Sequence, residues 1–461
     1  MRNWQIMVLV VWFCAQAATA ENVMQSRLNI LFIVADDLAT RLGCYGDPLA
    51  QTPNLDRLAR EGVIFNRAYC QGAVCTPSRT SFMLGLNSRH AKANHFVLHP
   101  DTMTMGRWLR QNGYQTCSIG KIDHDDPMDK FVDPQAWDVR VKREDISTTA
   151  LRRQRIDEDG DRQRKAISFI GLADDPRQLT DWARVERARH FLAEERDLTK
   201  PFLLAVGFHS PHGPWDSMRT TAEKFDLHQF VLDHSPEQIF QLPKGSLGTD
   251  PGYDLSDERQ RELLRGYYAA VSELDTQIGR LLNDLKERNL WDQTVIIFTS
   301  DHGYHLGWRG QWMKHSLSEQ VMRVPLIVRH PKAPVGNVVN GIVELLDLFP
   351  TFCDFANKSS PPDLDGRSFA PMVFNSEAPG KAAAFCDWGN GRTARDEQFR
   401  LIQRRDGSRE LYDYNSDPLE YRNVIHETIN ATVITKLQGL LDQEFGVLQL
   451  DKKTSKQEGN L

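Results

Sequence analysis

Leu28-Asn-Ile-Leu-Phe-Ile-Val-Ala35 is a near-continuous apolar run, and it is followed at once by Asp36-Asp37. A strand without polar alternation has to be covered on both faces, which belongs to the interior of a mostly parallel sheet. The same arrangement recurs along the chain. Thr116 to Ile119 leads into Gly120-Lys121, and Phe202 to Phe208 leads into His209-Ser-Pro-His212. Val295 to Thr299 ends at Ser300-Asp301-His302, and Val324 to Val328 is one more apolar run. Helical patterns lie between these runs. Strands alternating with helices, with polar clusters at strand carboxyl ends, predict an α/β fold with a mostly parallel sheet and a site along that edge.

The helices carry their own signals. Thr52-Pro53 opens one, with Thr52 as N-cap, Pro53 at the first position and Gly62 closing it. Met105 to Asn112 is a second, stopped by Gly113. Trp182, Val185, Arg189 and Leu192 share one predicted face of a third. The clearest stripe is Tyr267, Val271, Leu274, Ile278, Leu281 and Leu285, behind an acidic first turn at Asp257-Glu258. Residues 140 to 178 show little periodicity and read as a long surface excursion. Beyond Pro379-Gly380 the pattern changes to short strands, Ala383 to Trp388 and Phe399 to Gln403, and a last helix, Ile429 to Phe445. This predicts a small C-terminal antiparallel-sheet subdomain at 379–461, after a catalytic domain at 21–378.

The formal charge of −6 argues against a nucleic-acid partner. Any polyanionic substrate must then be drawn by a local basic pocket. Residues 1–20 read as a signal peptide: Arg2, an apolar run from Ile6 to Cys14, and Ala18-Thr19-Ala20 as cleavage site. That run is short for a membrane span, so the expectation is a secreted or periplasmic protein, or a lysosomal one in a eukaryote. The remaining cysteines, Cys44, Cys70, Cys75, Cys117, Cys353 and Cys386, are sparse and show no zinc spacing. Asn357-Lys-Ser359 and Asn430-Ala-Thr432 are glycosylation sequons.

Asp36, Asp37, Asp301 and His302 sit at two strand ends and are candidates to share one divalent cation. Oxygen donors suit Ca²⁺ or Mg²⁺, whereas a histidine nitrogen suits zinc. From chemistry alone the metal stays open. Lys121 with His124, the histidines of His209-Ser-Pro-His212, and the glycine-rich stretch from Asp301 through His305 to Lys314-His315 complete the set.

Cys75-Thr-Pro77-Ser-Arg79 lies between these strands, with Gly85 six residues past Arg79. Pro77 is predicted as the first residue of a helix, which places Cys75 at its positive end, favourable to an anion. By itself Cys75 would be a buried small hydrophobe.

The Cys-x-Pro-Ser-Arg pattern and the order of motifs around it resemble the type I sulfatases, and most closely their iduronate-2-sulfatase branch. The details are Gly120-Lys121 with His124, the His-x-Pro-His ending at His212, Asp301-His302-Gly, Gly310-x-Trp312-x-Lys314, and the run from Leu411 to Asn423. The resemblance implies an alkaline-phosphatase-like fold. It implies that a maturation enzyme oxidises Cys75 to formylglycine (3-oxoalanine), whose hydrate attacks sulfur. Asp36, Asp37, Asp301 and His302, with the modified Cys75, would bind one Ca²⁺. Arg79, Lys121 and Lys314 would neutralise sulfate oxygens, His124 would hold or deprotonate the hydrate, and His212 would protonate the leaving alcohol.

The implied activity is hydrolysis of sulfate esters on saccharides, with 2-O-sulfated uronates of glycosaminoglycan-like polymers as one class. A formylglycine-dependent phosphonate monoester or phosphodiester hydrolase and a non-catalytic binder of sulfated glycans are the rival readings. The chain departs from the family's pattern at Leu84, at Ile122-Asp123 within Gly-Lys-x-Phe-His, and at Trp308-Arg309. The last two put substrate identity in doubt. His305 and His315 are candidates to line the substrate pocket, with a structural role the equal alternative for His305.

Overall fold

The computed structural model describes residues 27–91, 102–123, 133–142, 145–146, 148–156, 168–233 and 255–451. Residues 1–20, read from the sequence as a signal peptide, and His124 lie outside them.

The centre is an eight-stranded sheet. Its strands are β1 (Asn29–Ala35), β2 (Val63–Phe65), β3 (Gln115–Gly120), β4 (Val139–Val141), β5 (Phe202–Gly207), β6 (Thr294–Ser300), β7 (Leu326–Arg329) and β8 (Asn337–Val339). They lie in the order β8-β2-β7-β6-β1-β5-β3-β4. β1 pairs in parallel with β6 and β5, and β3 pairs in parallel with β5 and β4. β7 runs antiparallel to both β6 and β2, so the sheet is mixed but mostly parallel. Every residue of β1 is buried, as its unbroken apolar run requires. Ile30, Phe32 and Val34 face one core layer and Leu31, Ile33 and Ala35 the other.

Register sets the site. Ala35 lies opposite Ser300, Val34 opposite Gly207, and Gly120 opposite Gly207. The residues that follow therefore emerge level along one edge. Gly207 permits this convergence: a Cβ there would lie 2.0 Å from the Lys121 carbonyl oxygen.

The helices cover both faces. α1 (Pro53–Arg60) begins at Pro53 as expected, but the Thr52 hydroxyl makes no cap bond; it donates to Asp56 Oδ1 at 3.1 Å. α2 (Cys75–Leu84) is buried along its whole length and closed by Gly85 at φ 67°. It starts at Cys75, not at Pro77, so Pro77 is its third residue. There the missing N–H still has no intrahelical acceptor to lose. α3 (Met105–Gln111) stands as read. In α4 (Thr180–His190) the buried residues are Asp181, Arg184, Val185 and Ala188; of the four residues read onto one face, Val185 and Leu192 are buried, whereas Trp182 and Arg189 are only half-buried. The Asp181–Arg184 ion pair inside the core is what the apolar pattern could not show. α5 (Asp257–Glu287) buries its predicted stripe from Tyr267 to Leu285.

Residues 140–178 are not merely an excursion. They hold β4's end and the strands Arg153–Ile156 and Ser168–Ala173. The second of these pairs in parallel with Trp215–Met218, just past the His212 loop.

The C-terminal region is an antiparallel sheet of β9 (Ala384–Trp388), β10 (Gly391–Arg395), β11 (Phe399–Arg404) and β12 (Arg409–Asp413). α6 (Ala431–Phe445) packs on one face through Leu437, Leu441 and Phe445. Through the other face Cys386, Ile402 and Tyr412 join the main core. The six described cysteines are free thiols. Asn357 is exposed, whereas Asn430 is buried and its Nδ2 donates to the Val424 carbonyl at 3.1 Å. No helix among the described residues is long and apolar enough to cross a membrane.

Candidate active site

The strand ends bring Asp36, Asp37, Asp301 and His302 together with the N-terminus of α2, all almost fully buried. Cys75 Sγ is the common point. It lies 3.3 Å from Asp36 Oδ1, 3.4 Å from His302 Nε2 and 3.3 Å from Lys314 Nζ. Lys121 Nζ donates to Asp36 Oδ2 at 2.5 Å, and Lys314 Nζ to Asp37 Oδ1 at 2.6 Å. Arg79 Nε donates to Asp301 Oδ2 at 2.9 Å, and its Nη1 donates to the Lys121 carbonyl. Three carboxylates thus meet three cations in direct contact, the arrangement that buried charge demands.

The electrostatics follow from that pairing. Burial would raise Asp36, but Lys121, then His212, Arg79 and Lys314, hold its carboxyl well below the usual range. Asp37 is lowered against the same burial by Lys314, His212 and His302. Burial, with Asp36's charge behind it, pushes the Cys75 thiol up to about 12. An unmodified Cys75 is therefore a protonated thiol at neutral pH, a poor nucleophile.

The donor set fits a divalent cation. Ligand atoms of Asp36, Asp37, Cys75 and His302 all lie within 4.8 Å of one another. His302 Nδ1 faces the Gly303 carbonyl at 2.9 Å, so it carries the proton and leaves the Nε2 lone pair toward the cluster. Asp301, the fourth sequence-predicted ligand, stands at the edge. Its Oδ2 is 3.7 Å from His302 Nε2, and Arg79 and the Asp37 amide also engage it.

His212 stands beside Asp37. Its Nδ1 faces the Gly213 carbonyl at 2.7 Å, and its Nε2 is 3.9 Å from Asp37 Oδ2. The Lys121 neighbour Asp123 is paired with Arg140 at 3.2 Å. His305 does not line a pocket: it is fully buried, bonded to Ser316 at 2.7 Å and stacked on Trp308. Arg309 lies under the surface, over the rings of Trp308 and Tyr412. His315 is half-buried, with its ring centroid 5.7 Å from that of Trp388 on β9.

Sequence reasoning missed the residues that brace these groups. Tyr267 accepts from the Ala39 amide and donates to the Asp37 carbonyl. Ser300 Oγ takes the Leu38 amide, and Ser78 Oγ donates to the Asp301 carbonyl. Tyr267 was legible only as a member of an apolar stripe.

Comparison with known proteins bears on the family and the fold. The family model described as Sulfatase matches residues 28–358, and that described as N-sulphoglucosamine sulphohydrolase, C-terminal, matches 307–445. Iduronate 2-sulfatase of Mus musculus is 30% identical over 421 residues, covering 80% of this chain and 76% of that protein. N-acetylglucosamine-6-O-sulfatase of Bacteroides thetaiotaomicron is 28% identical, covering 93% of this chain and 88% of that protein. A solved structure holding its substrate D-glucosamine-2-N,6-O-disulfate superposes with a TM-score of 0.73 at 26% identity, over 90% of this chain and 97% of that one. A phosphonate monoester hydrolase of Agrobacterium radiobacter gives 0.76 at 23% identity, covering 93% and 99%, a likeness of fold alone. The alkaline-phosphatase-like sheet, the carboxylate-rich strand ends around Cys75 and the family match together place this chain in the sulfatase family, as a sulfuric ester hydrolase.

Proposed function

We propose that the protein removes sulfate esters from saccharides, using formylglycine made from Cys75 and one bound Ca²⁺. The observation that carries this reading is the convergence of Asp36, His302 and Lys314 on Cys75 Sγ at 3.3–3.4 Å. A protonated thiol gives that convergence little to do, whereas an oxidised Cys75 gives it a nucleophile to hold. The hydrated aldehyde would supply the attacking oxygen, and the calcium ion would supply Lewis-acid charge beside the sulfuryl group.

The chain's own groups do the rest. Asp36, Asp37, Asp301 and His302 hold the cation. Arg79, Lys121 and Lys314 are fixed cations facing the sulfate oxygens, aimed before the substrate arrives and shielded from water. Their charge is greatest in effect where charge spreads over sulfur's oxygens in the transition state. His212 Nε2 protonates the departing sugar oxygen. His124 is assigned to the hydrate by the family resemblance.

The iduronate 2-sulfatase relatives favour a 2-O-sulfated uronate, and the N-acetylglucosamine-6-O-sulfatase relative a 6-O-sulfated amino sugar. Both are sulfated saccharides, and that is the class proposed. In this reading residues 21–378 form the catalytic domain and 379–461 the C-terminal subdomain. Residues 1–20 direct secretion or periplasmic export, or delivery to the lysosome in a eukaryote.

The test is sulfate release from protein co-expressed with a formylglycine-generating enzyme. The panel holds 2-O-sulfated uronates, 6-O-sulfated amino sugars, an aryl sulfate and an aryl phosphonate. Release from a saccharide, lost in Cys75→Ala, supports the proposal. Faster turnover of the phosphonate transfers it to the rival hydrolase reading.

A further inference from the structure

His212 can act only if the turn that carries it is held still. That turn, His209-Ser210-Pro211-His212, leaves β5 at the sheet edge with few backbone partners of its own. Two of its amides are instead taken by a side chain from a helix behind it. Asp181, in the first turn of α4, accepts the His209 N–H on Oδ1 at 3.0 Å and the Ser210 N–H on Oδ2 at 2.9 Å. Both oxygens are used, one for each amide. Ser210 in turn receives the Asp36 amide on its carbonyl at 3.4 Å, and His212's amide closes onto the His209 carbonyl at 2.8 Å. The chain of bonds therefore runs from Asp181 to His212 on one side and to Asp36 on the other.

Asp181 is itself pinned. Arg184 Nη1 donates to its Oδ1 at 2.5 Å, and the two side chains are 1% and 5% exposed. Arg184 also packs on the next strand end: a Cβ at Gly120 would lie 2.5 Å from its Nε. Gly120 immediately precedes Lys121, whose ammonium meets Asp36. One buried pair thus touches both the strand end carrying His212 and the one carrying Lys121. A purely stabilising ion pair has no need to spend both carboxylate oxygens on a catalytic turn, and buried pairs of this kind are weak sources of stability in any case.

We infer that Asp181, braced by Arg184, is a positioning residue that aims His212 at the leaving oxygen of the substrate. The inference rests on His212 acting as general acid. Asn at position 181 keeps one acceptor oxygen but turns an NH₂ donor toward the second amide, so the turn loses one of its two anchors.

The readout is leaving-group dependence. A sugar alkoxide needs the proton that His212 delivers, whereas an activated nitrophenolate leaves without it. In the matured full-length enzyme, Asp181→Asn lowers kcat/KM about 100-fold on the sulfated saccharide. On nitrophenyl sulfate it loses less than about 5-fold. His212→Ala shows the same selectivity, and the double variant loses little more on the saccharide than His212→Ala alone. Asp181→Glu, which keeps both acceptor oxygens, recovers part of the saccharide activity.

Asp181→Asn strands the Arg184 charge, so Asp181→Asn with Arg184→Met serves where the single variant does not fold. Equal losses on both substrates from variants with an intact melting transition overturn the inference while leaving the general-acid reading standing. Equal losses from His212→Ala overturn the general-acid reading, and the inference with it.

Discussion

Two of the clusters of buried charge among the described residues are built differently. One surrounds Cys75. The other joins the C-terminal sheet to the main body, where Arg400 Nη2 meets Glu319 at 2.5 Å and Arg400 Nε meets Glu420 at 3.1 Å. In the second cluster Arg400, Glu319 and Glu420 are each met by protein groups on several sides. Arg400 also donates to Tyr414 Oη at 2.9 Å and the Leu317 carbonyl at 3.2 Å, while Glu420 takes the Glu319 amide at 3.1 Å and the Tyr414 hydroxyl. Around Cys75, by contrast, the Asp36 carboxylate, the Lys314 ammonium and the His302 Nε2 lone pair converge on one atom. A network that is internally complete attaches two parts of a protein. One whose members converge on a shared point is arranged for something that occupies that point. Equal burial therefore says nothing about purpose; the direction of the unshared valences does.

Variants can break this contrast. Cys75→Ala should abolish sulfate release by the matured protein, a loss on the order of 10⁵-fold or more, as for removal of other nucleophiles. Its melting temperature should stay close to that of the unmodified parent, because losing the Cys75 sulfur leaves every ion pair in place. Arg400→Met should do the reverse. It strands Glu319 and Glu420 in the core and should cost about 3–5 kcal/mol in urea unfolding. Turnover by the folded fraction should be retained. A Cys75→Ala protein that unfolds, or an Arg400→Met protein that is stable but inactive, would erase the distinction.

Two milder perturbations sharpen it. Removing calcium with EGTA should lower the melting temperature of the parent and of Arg400→Met alike. Re-addition at ~100-fold above the dissociation constant should restore about 3 kcal/mol. An unchanged melting temperature in calcium would count against a resident ion. The smallest expected effect is on the acid side. Burial would raise Glu319, but Arg395, Arg400 and Arg323 hold it down at about 2, against 4.5 for a free side chain. A carboxyl depressed in the folded state stabilises above its unfolded pKa, so this contribution is full above about pH 4.5 and fades as pH falls toward 2. Glu420 beside it is raised, by burial and then by Glu319, and offsets part of the slope. Urea midpoints between pH 5 and 3 should fall in the parent and fall less in Arg400→Met.

Much of the frame could be read from the chain. The strands were legible because residues covered on both faces leave an unbroken apolar signature, as in β1. The gathering of the candidate residues was legible because they follow directly on those strands. What stayed hidden had physical reasons. Asp181 and Arg184 occupy a buried face, yet an ion pair reads as solvent-exposed in any apolar periodicity. The strand Ser168–Ala173 pairs with Trp215–Met218, and no local pattern announces a partner so far along the chain. The antiparallel direction of β7 is a matter of connection, which apolar content does not encode. His305 was drawn toward a pocket by its neighbours in sequence, whereas Trp308 and Ser316 hold it inside.

The burial of α2 has a consequence in time. Cys75 is 6% exposed, and every residue of its helix is buried beneath the sheet edge. A protein catalyst that oxidised this thiol could not reach it in the finished fold. Modification and folding would then compete for the same nascent segment, and whichever came first would decide the fate of each molecule. The matured fraction would be a kinetic quantity. It would rise when folding is slowed by low temperature or mild denaturant during synthesis, and protein already folded without the modification would stay inactive however much maturation enzyme was added later.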